Sequence, residues 1–100
     1  MAIKNPNVLS ILGRRITVRP SERAILACLH DNLGFAVPYK KLCTLGYGSG
    51  AVTRRRKQAL RQTMLMVRRR LDKHKVRCVL AAIPRFGYAM FPLRKRRMAR

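Results

Sequence analysis

Two rhythms of apolar and polar positions run along this chain, and the point where one gives way to the other organises it. Leu60, Met64, Val67 and Leu71 recur at i, i+4, i+7 and i+11, the single stripe of a core-facing amphipathic helix. Beyond the polar turn Asp72-Lys73-His74-Lys75, the pattern predicts a strand over Val76–Ile83, rich in apolar and β-branched residues. Pro84-Arg85-Phe86 is the bend, Gly87–Phe91 the returning strand, and Pro92 its end. Upstream, Val8–Leu12 and Arg15–Val18 read as two short strands. Gly13-Arg14 is the two-residue turn between them, because Gly supplies the positive φ such turns need.

Between these ends the spacing predicts two more helices. Pro20 is favoured at a first helical position, and Glu22 falls in the first turn, where the helix dipole favours an acid. Ile25, Leu26, Cys28 and Leu29 form the apolar face, and the helix ends near Asn32 with Gly34 just beyond. Ala36 and Val37 lead to a second helix begun by Pro38, with Tyr39, Leu42, Cys43 and Leu45 as its apolar set. Gly46, Gly48 and Gly50 break it, and GYGSGAVTRRR reads as a flexible loop running into the third helix, about 54–72. The expected class is α+β: a short N-terminal β-hairpin, three helices and a C-terminal β-hairpin. Residues 1–7 are expected to be a flexible N-terminus, 8–91 one domain, and 92–100 a disordered tail, its last eight residues carrying five cations.

Composition adds a partner to this picture. Lys and Arg number 24 against three acids, Glu22, Asp31 and Asp72, for a net charge of +21. Self-repulsion of that size calls for an external polyanion. DNA, RNA and an anionic membrane surface all qualify. No apolar run approaches the roughly 20 residues of a membrane-spanning helix, and MAIKNPNVLSILGRR lacks the apolar stretch of a signal peptide. A cytoplasmic location, at the nucleoid, and no membrane partner are therefore expected. Cys28, Cys43 and Cys78 are odd in number and far apart, and His30 and His74 complete no zinc spacing. Cys28 and Cys43 read as small buried thiols on helix faces; an exposed redox thiol is the alternative for Cys78. No metal or cofactor is expected. With no paired carboxylates, nucleophile triad or phosphate loop, neither is an enzyme.

The third helix concentrates the chemistry. At about 100° per residue, the face opposite its apolar stripe holds Arg55, Gln58, Gln62 and Arg69, bordered by Leu65 and Met66. Arg61, Arg68 and Arg70 stand on the flanks. Gln pairs in a bidentate way with adenine, Arg with guanine, and Leu or Met can touch a thymine methyl. Flanking cations set register on phosphates. Gln58, Gln62, Leu65, Met66, Arg69 and Arg85 are thus the candidate base contacts. Lys40, Arg54, Arg55, Arg56, Lys57, Arg61, Arg68 and Tyr88 are the candidate phosphate contacts. The alternative for the helix is a solvated face that serves only solubility.

In order and residues, the chain resembles the OmpR/PhoB-type winged helix-turn-helix effector domain of bacterial response regulators, over about residues 8 to 91. The likeness rests on Ile83-Pro84-Arg85-Phe86-Gly87-Tyr88 at the wing, Val67-Arg68-Arg69-Arg70-Leu71 at the end of the recognition helix, and Arg19-Pro20-Ser21-Glu22 at the first helix. Val37–Leu42 and Tyr47-Gly48 are similar to the second helix and its close. The resemblance implies a third helix in the major groove and a wing at Arg85 in the minor groove, with Tyr88 partly core and partly a backbone contact. In relatives the loop between helices two and three often contacts RNA polymerase, the further partner the resemblance suggests, but here that loop is Gly- and Arg-rich. A monomer in solution binding DNA as a tandem dimer is the expected assembly.

The departures are specific. Arg19 stands where the family has a capping Thr, a cap worth about 1 kcal/mol. Arg85 occupies the place of the wing Gly, with Pro84 in the Arg position. Met66 and Thr63 fall where the family often has Arg and His, so no base code transfers. A domain without a receiver is expected, since no acidic cluster offers a phosphoryl acceptor; a stand-alone basic domain of this kind suits a bacterial or phage transcriptional regulator. The leading expectation is sequence-specific binding of double-stranded DNA. The alternatives are a nucleoid-associated protein that coats DNA, an RNA-binding protein of ribosomal type, and a protein-binding module acting on host transcription machinery.

Overall fold

A computed structural model of the chain describes residues 8–48 and 50–93. The fold is α+β, with three helices and two small antiparallel sheets. The expected N-terminus (1–7) lies outside the described residues, as does the tail beyond Leu93.

The first sheet pairs β1 (Val8–Ile11) with β2 (Arg14–Thr17) in the register Val8↔Thr17 to Ile11↔Arg14. The turn is therefore Leu12-Gly13, one residue earlier than the Gly13-Arg14 expected from sequence. Both residues have positive φ, 49° at Leu12 and 82° at Gly13, the requirement of a type I′ hairpin turn. The shift places Ile11 and Ile16 in the core and leaves Arg14 and Arg15 in solvent.

Helix α1 (Pro20–Asp31) starts and ends where the sequence signals it, with Asn32 as C-cap. Arg19 at the N-cap has no capping oxygen, but Glu22 replaces part of that function: its Oε1 accepts the Arg19 N–H at 3.1 Å. Glu22 is 3% exposed, and its Oε1 lies 2.7 Å from Arg70 Nε. That is a contact ion pair rather than an aligned hydrogen bond. The same guanidinium donates through Nη1 to the Thr17 carbonyl at 3.4 Å. Arg70 is thereby turned into the fold, which corrects its expected place on an outer flank of the third helix.

Val37 and Pro38 do not begin a helix. They form β3 (Val37–Pro38), paired with Tyr88 and Gly87. Helix α2 (Tyr39–Tyr47) follows, with Pro38 as its N-cap. Gly46 does not break it. A Cβ at Gly46 would lie 2.7 Å from Ile25 Cδ1, so glycine there lets α1 and α2 approach closely. The helix ends at Gly48, whose φ is 88°. Leu42 and Cys43 are buried as expected, whereas Leu45 is 40% exposed and lies off the core side.

Helix α3 (Arg54–Lys73) starts where the sequence places it, with Thr53 capping it by accepting the Arg56 N–H at 3.2 Å. Its stripe Leu60, Met64, Val67 and Leu71 is buried throughout. Val76 and Arg77 are connector rather than strand. The last hairpin pairs β4 (Cys78–Ile83) with β5 (Gly87–Pro92), and β5 sits centrally in the order β3-β5-β4. Leu80, Tyr88 and Met90 join Ile11, Ile16, Val18, Ile25, Leu26, Leu29, Leu42 and the α3 stripe in one core. Three arginines close on strand carbonyls: Arg23 on Val8 (3.3 Å), Arg70 on Thr17 (3.4 Å) and Arg68 on Leu80 (2.7 Å).

Candidate nucleic-acid interface

Burying one stripe of α3 determines what its other side presents. Arg54, Arg55, Lys57, Gln58, Arg61, Gln62, Arg68 and Arg69 are exposed, with Leu65 (40%) and Met66 (37%) among them. At about 1.5 Å per residue the helix is roughly 30 Å long. No acid lies between Arg54 and Leu71, so nothing on this surface neutralises its field. The first turn carries Arg54, Arg55 and Arg56 and no acid. Cations there oppose the helix dipole, which favours anions at that end.

The cations differ in how far the fold engages them. Arg56 donates to the Gly48 carbonyl at 2.7 Å, fastening the end of α2 to the start of α3. Lys57 Nζ stands 5.2 Å from the centre of the Tyr39 ring, a cation–π distance. The Arg61 guanidinium lies near enough to the Tyr88 phenol to lower its pKa, and Arg68 donates to the Leu80 carbonyl. These contacts orient the four side chains. Lys40, Arg54, Arg55, Gln58, Gln62, Arg69 and Arg85 make no side-chain hydrogen bond or ion pair with the described residues, so their donors face solvent.

Tyr88 is only 7% exposed. Its ring meets Tyr39 edge-on, with centroids 5.9 Å apart. Burial raises its hydroxyl above the usual tyrosine range, Tyr39 adds to the shift, and Arg61 and Arg68 oppose it. The phenol therefore stays neutral and acts through the core and through Arg61, rather than standing free as a phosphate contact of its own.

The hairpin tip carries the remaining candidate cation, Arg85. The Phe86 N–H donates to the Ile83 carbonyl at 3.0 Å, closing a turn with Pro84 second and Arg85 third. Arg85 has φ 62°, the positive value that a type II turn demands at that place. It thus adopts the conformation that the missing glycine would have supplied. The Tyr39 N–H donates to the Phe86 carbonyl at 2.8 Å. Through Tyr39 and Lys57 the tip is linked to the flank of α3.

Two features of this surface had no sequence signal. The Tyr47 hydroxyl and Thr63 Oγ1 are 2.6 Å apart, so Thr63 is spent on holding α2 to α3. The Glu22–Arg70 pair joins residues far apart in the chain. Elsewhere, burial raises the Cys78 thiol, with Asp72 adding to the shift. Burial also raises Cys43, against the pull of Arg56 and Lys57. Neither has the depressed pKa of a reactive thiolate. No three His, Cys, Asp or Glu side chains gather among the described residues, and no described helix is long and apolar enough to cross a membrane. No known family model matches the chain, and no curated protein matches it at a significant level.

Proposed function

We propose that the chain is a winged helix-turn-helix protein that binds double-stranded DNA sequence-specifically and acts as a small transcriptional regulator. The observation that carries this reading is the outer face of α3. It is exposed and acid-free, it combines free amide and guanidinium donors with two apolar side chains, and it stands beside a hairpin with a cation at its tip. A helix of about 10–12 Å diameter fits a major groove about 12 Å wide. With α3 in that groove, Gln58, Gln62 and Arg69 meet base edges, and Leu65 and Met66 meet thymine methyls. Arg54 and Arg55 meet one phosphate wall, where an anion also relieves the unfavourable charge at the helix start. Arg56, Lys57, Arg61 and Arg68 reach phosphates from positions their internal contacts fix. The hairpin β4–β5 is the wing, with Arg85 in the adjacent minor groove. The protein acts at the nucleoid, as a monomer that assembles in tandem on repeated sites, and RNA polymerase is the second partner its role would require.

The net charge of +21 supports one competing reading, a coat on DNA that recognises phosphates alone. The mixture of Gln, Leu and Met on the α3 face weighs against it, since phosphates need only cations. Duplex RNA is a poorer fit, because its deep, narrow major groove admits no reading helix. Selection from a random duplex library at about 150 mM salt, near physiological ionic strength, separates these readings. An enriched motif, repeated at about one helical turn, is the expected result. Strong binding without any motif would leave only the coating role.

A further inference from the structure

We infer that the Phe86 ring is an apolar wedge that enters a base step of the minor groove and kinks the duplex. The inference rests on the DNA-binding reading above and adds a deformation of the partner to it. Single exposed apolar side chains are ordinary on protein surfaces, so the 44% exposure of Phe86 is only the starting point. What distinguishes Phe86 is that an exposed ring is carried on a clamped backbone. Its N–H is held by Ile83 and its C=O by the first residue of α2. The next residue, Gly87, lies so close to β3 that a Cβ there would collide with the Val37 carbonyl. The tip is pressed against a neighbouring strand and fastened to a helix, and a ring mounted in this way can push against a base stack without folding back.

The surroundings fit the same task. Pro84 and Arg85, the other two residues of the turn, are both exposed, so the tip presents a rigid ring, an aromatic ring and a cation together. The three acids of the chain lie in α1 and near the end of α3, none of them in the hairpin. The negative potential of a narrow minor groove attracts an inserted arginine. Proteins that bend DNA from this groove wedge Phe, Leu, Ile, Met or Pro between base pairs and kink it by roughly 20–90°. Arg85 would bring the tip into the groove, and Phe86, next in sequence, would meet the base edges.

The test uses the full-length protein and duplexes of roughly 20–30 base pairs, long enough to report a bend. These carry 2-aminopurine at successive positions and a dye pair at the ends. Anisotropy reads binding, 2-aminopurine fluorescence reads unstacking, and energy transfer reads the bend. The wild type should give a severalfold rise in 2-aminopurine emission at one step, together with closer ends. Phe86→Ala should still bind, with about tenfold weaker affinity or less (about 1.4 kcal/mol), but lose both the rise and the bend. Phe86→Leu should restore both. A wild type that binds without unstacking or bending, or a Phe86→Ala variant that keeps both, overturns the wedge and leaves DNA binding standing. A wild type that binds no duplex in the anisotropy arm overturns the wedge and the underlying reading together.

Discussion

Replacing Arg85 with glycine should make the protein more stable and a weaker binder of DNA at the same time. Arg85 holds φ at 62° in the turn closed by Phe86 N–H and the Ile83 carbonyl. The left-handed region costs a residue with a Cβ about 1–2 kcal/mol. Glycine avoids that strain but gives back roughly 0.5–1 kcal/mol through the greater freedom of its unfolded chain. The net is about 0.5–1 kcal/mol in favour of Arg85→Gly. At roughly 4–8 °C per kcal/mol for a domain of this size, the melting temperature should rise by about 2–8 °C. Arg85→Ala separates the two effects, because alanine keeps the strain and loses the charge; it should bind as weakly as Arg85→Gly without the gain in stability. Thermal melts followed by circular dichroism read the first effect. DNA affinity as a function of salt reads the second, the slope falling by about one counterion. A lower melting temperature for Arg85→Gly would refute the strain argument. Unchanged affinity in both variants would remove the tip cation from the DNA contact.

Glu22→Ala removes both the backbone cap at Arg19 and the partner of the inward-turned Arg70. Loss of one partner of a buried pair, discounted for the partly exposed arginine, should cost about 2–3 kcal/mol in urea unfolding; a cost within error of zero would mean that Arg70 finds solvent freely. Gln62→Ala should weaken the selected site by about 1–3 kcal/mol and relax one base pair. An equal loss on random DNA would show that Gln62 reads no base. Stability should fall as pH rises through the ordinary thiol value of 9.0, because Cys43 and Cys78 are raised above it in the folded state. Below 9.0 both states hold these protons and the contribution is intact; above it the unfolded chain releases them first. Melts of the wild type and a Cys43→Ala/Cys78→Ala variant across that range should diverge, and parallel curves would disprove the assignment.

Much of the order of elements was legible because it rests on local signals. The α3 stripe can be read directly, since one long helix packs through one face. The last hairpin is marked by Pro84 at its bend and Pro92 at its end, and α1 by Pro20 and Asn32. The features that escaped depend on residues distant in the chain. β3 is two residues long and exists only through Tyr88 and Gly87, so it has no period of its own. Gly46 carries the usual mark of a helix end, and only its contact with Ile25 explains why it lies within α2. The first turn lies one residue ahead of the place Gly13 marks, because Leu12, a residue with a Cβ, takes a left-handed conformation. In the candidate interface, exposure of the α3 face follows from the stripe opposite it. The diversion of Thr63 to Tyr47 and of Arg70 to Glu22 could not be read from either segment alone.

The three guanidinium–carbonyl bonds bear on how this chain tolerates changes in its charge. Among the described residues, β1, β2 and β4 each have an unpaired side, and each gives one carbonyl to an arginine: Val8, Thr17 and Leu80. β3, the remaining outermost strand, carries Pro38, which has no N–H to offer. Open strand edges are templates for pairing with other chains, so the arginines also act as stoppers against self-association. Reducing the positive charge to ease handling would therefore be expected to work against solubility when the residues chosen are Arg23, Arg68 or Arg70. Arg54, Arg55 and Arg69, which close no edge, are the places where charge can be removed without inviting chains to stack.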